Sequence, residues 1–290
     1  MDDRRQRYQN LVGARKVCRL CSNWGLINAS EVRGELDSEQ IGPWSGWLGD
    51  LNARVMVVGQ DWGDQGNFED QRGHNWPDST TTRMSATNRT LLELLAEAGI
   101  VPKVGPGESS GVFLTNAVLC FRRQGGASGP VQSRWFQNCG TSFLRPQIEL
   151  VNPRVVICLG KCAYEAVLAT YGLPRNWPAA VNGAGTALTM GGPVAFAVYH
   201  CSQVCLNTHR KKPDQLKDWK RIGEAMARMS AAPALEGGIM MSPEDTELVE
   251  FLDSVSFTDD KDKDWKDRPD LGLDPDDDAD EDDEEDDELG

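Results

Sequence analysis

Histidine is scarce in this sequence, with three in 290 residues, so a site built on imidazole has few residues to draw on. No apolar run approaches the ~18 residues needed to cross a bilayer, and a membrane-spanning helix is not expected. The opening MDDRRQRYQN has no apolar core, so no secretory leader is expected either. In a reducing compartment the eight cysteines read as ligands, catalytic groups or core thiols rather than disulfides. Composition excludes membrane, collagenous and disulfide-scaffold classes, and the chain has no internal repeat. A cytoplasmic monomer is expected, nucleoid-associated if bacterial.

An excess of base also looks absent, because 45 acids face 30 bases, a formal charge of −15. The distribution reverses that reading. Residues 236–290 hold 25 acids and 4 bases, whereas residues 1–235 hold 26 bases and 20 acids. A body of net charge +6 thus carries a tail of −21. The expected domains are a folded unit over 1–235 and an acidic, largely disordered arm over 236–290, too polar to offset its ordering entropy. Within the arm, Pro243–Phe257 has apolar residues at helical spacing and is a candidate to fold on a partner.

Four short apolar runs read as strands covered on both faces: Ala53–Gly59, Gly111–Ala117, Arg154–Gly160 and Pro193–Tyr199. Helical patterns lie between and after them, at Thr87–Ala98, Ser133–Val151, Lys161–Thr170 and about Pro213–Met229, with a kink or break expected at Pro146. The alternation predicts one α/β domain, a mainly parallel four-stranded sheet with helices on both faces. Residues 22–52, with Trp24, Trp44 and Trp47, are expected to wrap the sheet, and the polar stretch 64–85 to form a functional loop.

Ligands of such sheets bind at the carboxyl ends of the strands. There the first strand delivers Gly59-Gln60-Asp61-Trp62-Gly63, the second Asn116 and the fourth His200-Cys201-Ser202. Each has a plainer reading: Asp61 as a turn aspartate, Asn116 as a loop anchor, His200 as a satisfied core imidazole. Convergence of a carboxylate, an amide and an imidazole on one rim is the informative part. Separately, Cys18 and Cys21 form a C-x2-C pair, and Cys120 and Cys139 bracket the next βα unit. Four thiolates suit an iron–sulfur cluster or a structural zinc; Cys120 and Cys139 are otherwise ordinary buried thiols. Cys158 and Cys162 read as core thiols.

Together these segments resemble the uracil-DNA glycosylases. GQDWG resembles their water-activating motif, its GQD triplet being closest to family 1. LTNAVLC resembles their uracil-recognition strand, and His200-Cys201-Ser202 their leaving-group motif. The four cysteines followed by NPRVVICLGKCAYEAVL are similar to the iron–sulfur (family 4) branch. The motifs occur in family order over about residues 15–230.

The resemblance implies removal of uracil from single- or double-stranded DNA in base excision repair. Asp61 and His200 would be catalytic, and Gln60, Trp62, Gly63, Asn116 and Ser202 would line the uracil pocket. A 4Fe–4S cluster (or a zinc) would sit on Cys18, Cys21, Cys120 and Cys139. Leu206 falls where relatives carry a residue that wedges into the vacated base stack. Departures are visible: Trp62 and Cys201 stand where prolines are usual, and Gly63 where family 1 has a tyrosine against the thymine methyl. No aromatic falls near Arg83-Met84, so Phe68 or Trp76 is expected to stack on uracil. Arg122-Arg123 and the run Arg210-Lys211-Lys212 after His209 are candidate phosphate contacts, or plain solvated turns.

The competing readings are a non-catalytic nucleic-acid-binding relative that keeps the cluster, and a small-ligand or redox α/β protein with zinc. As a hypothesis, the acidic tail binds a partner or competes with DNA for the basic body. Deleting residues 259–290 is then expected to tighten nonspecific DNA binding at low salt. Unchanged binding across a salt series would leave the tail a solubility or docking segment.

Overall fold

The computed structural model describes residues 3–32, 37, 39–46, 48–63, 85–102, 110–123, 131–181 and 185–231. Phe68, Trp76, Trp47, the Arg83-Met84 pair and the whole acidic arm, including the segment Pro243–Phe257, lie outside the described residues.

Strands β1 (Leu26–Ile27), β2 (Val55–Gly59), β3 (Val112–Asn116), β4 (Phe121–Arg122), β5 (Val155–Leu159), β6 (Thr186–Ala187) and β7 (Val194–Val198) form two sheets. The main sheet has the order β3-β2-β5-β7-β6, with its first four strands parallel and β6 antiparallel to β7. The four expected strands are all present. The sheet has five strands rather than four, because the two-residue β6 caps the β7 edge and is too short to leave an apolar pattern. A separate ribbon pairs β1 with β4, Leu26 opposite Arg122 and Ile27 opposite Phe121.

Alternate residues of each central strand enter opposite cores. Met56, Val58, Phe113, Val156 and Cys158 pack on one face, and Val55, Val57, Val112, Val155 and Ile157 on the other. Burial on both sides is why these strands read as unbroken apolar runs. The first face is covered by α1 (Asp3–Val17), α3 (Ser133–Cys139), α4 (Arg145–Val151) and α5 (Lys161–Thr170). The second is covered by α2 (Ala86–Glu97) and α8 (Lys212–Ala231). Short helices α6 (Trp177–Ala180) and α7 (Gln203–Thr208) complete the described set. Residues 44–46 and 48–50 run along the outer edge of β3: Ser45 Oγ donates to Leu114 O, and Leu114 N to Leu48 O.

The break expected at Pro146 takes a different form. Helical turns run on from α3 into α4 through a π-helical segment, Gly140–Leu144, in which Arg145 N donates to Gly140 O. One wide turn ahead of the proline accommodates a ring that has no N–H to give. It begins directly after Cys139, so the register change lies beside a candidate ligand. Gln147, fully buried beyond it, takes the Thr115 hydroxyl on Oε1 and donates to Phe143 O, tying this helix to β3.

Candidate active site and cysteine pocket

The β2–β3 pairing continues past the strand ends. Ala117 N, Val118 N and Arg122 N donate to Gly59 O, Gln60 O and Gly63 O respectively. This lays the GQDWG segment along residues 117–122. The Asp61 carboxylate is held from four directions. Arg122 donates to Oδ2 through Nε (3.1 Å) and Nη2 (2.6 Å), Gln60 Nε2 donates to the same oxygen (2.9 Å), and Gly63 N donates to Oδ1 (2.8 Å). The two charged side chains are 2% (Arg122) and 5% (Asp61) exposed. Asn116 Nδ2 fixes the backbone by donating to Asp61 O at 2.8 Å. Gly59 must lack a Cβ, which would come within 2.6 Å of that nitrogen.

Gly63 adopts φ +72°, which favours glycine, and a Cβ there would meet open space. Glycine at the position where family 1 has a tyrosine therefore has a backbone reason. Trp62 corrects its expectation. It is buried in the core, edge-on to Phe121, under the Arg15 guanidinium and against Gly42. Packed there, it anchors the position next to Asp61 in the core. Gln60 likewise spends its amide nitrogen on Asp61.

His200 follows β7 and faces the site from the other side of β5. The turn between β5 and α5 passes through Gly160 at φ +88°, where a Cβ would lie 3.8 Å from that of His200. Ser202 N donates to His200 Nδ1 at 3.2 Å. With Nδ1 an acceptor, the neutral ring carries its proton on Nε2, a donor. Burial holds the imidazole below its ordinary pKa, opposed by the nearby Asp61 charge. Asp61 and His200 are thus within electrostatic reach of each other. Ser202 caps α7, its Oγ accepting from Cys205 N. Cys201 is fully buried, its thiol pushed up to about 12 by burial and directed at Thr87 O.

Cys162 was not expected here. Half-buried on the first turn of α5, it feels Asp61 and Arg122, and burial pushes its thiol up to about 11. Cys158, by contrast, is a fully buried strand thiol, as expected.

The expected DNA contacts divide. Arg122 is removed from phosphate contact by its pair with Asp61. Arg210 forks onto Asp218 (3.0 and 2.9 Å), and Lys212 pairs with Glu93. Leu206, the expected wedge, is 7% exposed and packs inward in the conformation described. Arg123, His209 and Lys211 are exposed.

Cys18, Cys21, Cys120 and Cys139 line one pocket together with Asn138 and Phe143. They are close enough for mutual electrostatic effects. Burial pushes the Cys139 thiol up to about 12 and raises Cys120 and Cys21, so without a compensating cation these groups stay protonated. Two N–H groups oppose that: Asn138 Nδ2 donates to Cys21 Sγ at 3.3 Å, and Leu119 N–H bonds Cys139. No three of His, Cys, Asp and Glu among the described residues converge closely enough to hold a single metal ion.

Residues 47–222 match the family model described as the uracil DNA glycosylase superfamily. The chain is 32% identical over 187 residues to a type-5 uracil-DNA glycosylase of Pyrobaculum aerophilum, covering 64% of this chain and 76% of that protein. It is 25% identical over 179 residues to a type-4 uracil-DNA glycosylase of Archaeoglobus fulgidus, covering 61% and 79% respectively. Cys18 and Cys21 precede the segment matched by the family model.

The His200 geometry sets a sign for pH. A base whose pKa is lowered by folding binds protons more readily when unfolded, so stability rises with pH through that window. Thermal midpoints are expected to fall as pH drops below the ordinary histidine range, about 6.5. His200→Asn should flatten that slope; an unchanged slope in the variant would remove His200 as its source.

Proposed function

The chain belongs to the uracil-DNA glycosylase superfamily, and from that premise we propose that it removes uracil from DNA by hydrolysing the N-glycosidic bond. The observation that carries the reading is the pairing across β5 of a fixed carboxylate with an imidazole whose donor nitrogen is set by Ser202. The uracil nucleotide must leave the base stack to reach such a site. As the bond between C1′ and N1 breaks, its electrons move onto the base. A His200 Nε2–H aimed at the uracil oxygen stabilises that charge, an effect of roughly 10²–10³ in rate for one preorganised donor. Water attacks C1′ and loses a proton, and uracil leaves as an anion that is protonated in solvent.

Asp61 orients that water through Oδ1, which carries a single protein hydrogen bond in the geometry above, whereas Oδ2 takes three. With Arg122 balancing its charge, Asp61 acts here by holding the water more than by stabilising the sugar cation. Asn116, within the uracil-recognition strand, supplies an amide edge complementary to the base. The product is an abasic site, the substrate of later steps in base excision repair.

The cysteine pocket fits a cluster better than a single ion. Its donors are thiols alone, two of them accept N–H bonds of the kind that stabilise thiolates, and the sulfurs ring a pocket instead of meeting at one point. We infer that Cys18, Cys21, Cys120 and Cys139 hold a 4Fe–4S cluster. When bound it supplies the positive charge that lets these buried thiols ionise. A non-catalytic DNA-binding relative is the second reading, favoured by the saturation of Asp61 Oδ2.

One experiment separates them: protein purified under anaerobic conditions, its visible absorption recorded, then incubated with uracil-containing single- and double-stranded DNA. Expected are a coloured protein that bleaches on chelation, and uracil release that Asp61→Ala lowers by at least about 100-fold. Colourless zinc protein would overturn the cluster. Tight binding with no uracil release, or full release by Asp61→Ala, would overturn the catalytic assignment.

A further inference from the structure

Beside the Asp61 rim lies an exposed aromatic that the mechanism does not use. Trp24 ends the short turn Ser22–Trp24 and is 42% exposed, costly for a tryptophan with no partner to meet. Its backbone is fixed from both sides: Trp24 N donates to Cys21 O at 2.9 Å, and Trp135 Nε1 donates to Trp24 O at 2.8 Å. The guanidinium of Arg134, itself exposed, lies 4.0 Å from the ring centroid. A stacked guanidinium keeps its in-plane N–H groups free for phosphate oxygens.

Arg123 joins the same surface. Its backbone N donates to Gly25 O (2.9 Å) and its Nε to Leu26 O (3.0 Å), which locks it against the residues that follow Trp24. Arg122 and Arg123 are consecutive, and they divide the labour: the first turns inward to Asp61 and the second outward to solvent. Neither Arg123 nor Arg134 is drawn into an ion pair among the described residues, unlike Arg210 and Lys212. The surface therefore offers one exposed ring on a fixed backbone and two cations, of which Arg123 is joined directly to Arg122.

We propose that Trp24, Arg134 and Arg123 form a stacking platform for an unpaired nucleotide of the strand that carries the extruded uracil, so that single-stranded DNA is the preferred substrate form. The inference rests on the reading of the chain as a uracil-DNA glycosylase. A ring flanked by cations is the usual means of holding single strands, since every unpaired base offers a face, whereas a duplex offers this surface only phosphates.

The test is fluorescence anisotropy with labelled oligonucleotides that contain no uracil, a 15-nucleotide thymidine strand and a 15-base-pair duplex, using the full chain. Trp24→Ala is expected to weaken single-strand binding about tenfold and duplex binding less than twofold. Trp24→Phe should retain most of the affinity. Arg123→Gln and Arg134→Gln should each reduce the salt slope on the single strand by about one. Equal losses on both substrates, or none on the single strand, would overturn the platform. If Trp24→Ala melts early, comparison of Trp24→Phe with Trp24→Leu decides: selective loss in the leucine variant supports stacking, and equal affinity refutes it. Because these strands hold no uracil, the result is independent of excision. Loss of the platform with excision intact would leave the glycosylase reading standing, and a working platform without excision would refute only the latter.

Discussion

Two opposite charges withdrawn from water, Asp61 and Arg122, are the constraint on which the rest of the site depends. Burying either alone would cost several kcal/mol, and breaking such a pair commonly costs about 3–5 kcal/mol because the survivor is left uncompensated. The surroundings are arranged to keep them together. Gln60 and the Gly63 amide complete the carboxylate's hydrogen bonds, Asn116 holds the carbonyl of the same residue, and Trp62 anchors the next position in the core. The carboxylate is consequently fixed in direction as well as in place, which suits its proposed role of presenting a water to one face of a sugar.

Arg122 in turn is supplied by β4, whose partner is the two-residue β1. That strand follows the C-x2-C loop directly, with Leu26 N and Trp24 N both donating to Cys21 O. Cys120 immediately precedes β4. Whatever fills the cysteine pocket therefore fixes both strands of the ribbon that aims Arg122. Arg15 adds a second link: it lies over Trp62 and is close enough to Cys120 to act on its thiol. On the proposed reading, a cluster held there would perform no chemistry on the substrate and would instead set the geometry of the carboxylate at a distance. The exposed Trp24 surface hangs on the same loop, so the proposed DNA contact and the carboxylate orientation would share one support.

Much of this was legible in the chain. Strands buried on both faces are continuous apolar runs, and their carboxyl ends carry Asp61, Asn116 and His200, which the sheet order sets out as Asn116, Asp61 and His200. What stayed hidden is pairing across distance. Nothing local marks Arg122 as the partner of a residue 61 positions earlier; in sequence it is half of a basic dipeptide. The run Arg210-Lys211-Lys212 reads as three free cations, but Asp218 from the next helix and Glu93 from α2 occupy two of them. Leu206 and Trp62 were read from motif position, which does not reveal that α7 turns its Cys205–Leu206 face inward or that the core had room for an indole. Cys162 reads in sequence as a core thiol because only the sheet order places β5 between the carboxylate and the imidazole.

The central claim is that Arg122 contributes to excision only by holding Asp61. A double-mutant cycle on single-turnover uracil release, with wild type, Arg122→Ala, Asp61→Asn and the double variant, tests it most directly, with melting curves recorded to confirm folding. The account predicts strong non-additivity: each single variant is slow, and the double variant is no slower than Asp61→Asn alone. If the losses of the two single variants instead multiply in the double variant, Arg122 acts independently of Asp61, and the account is wrong.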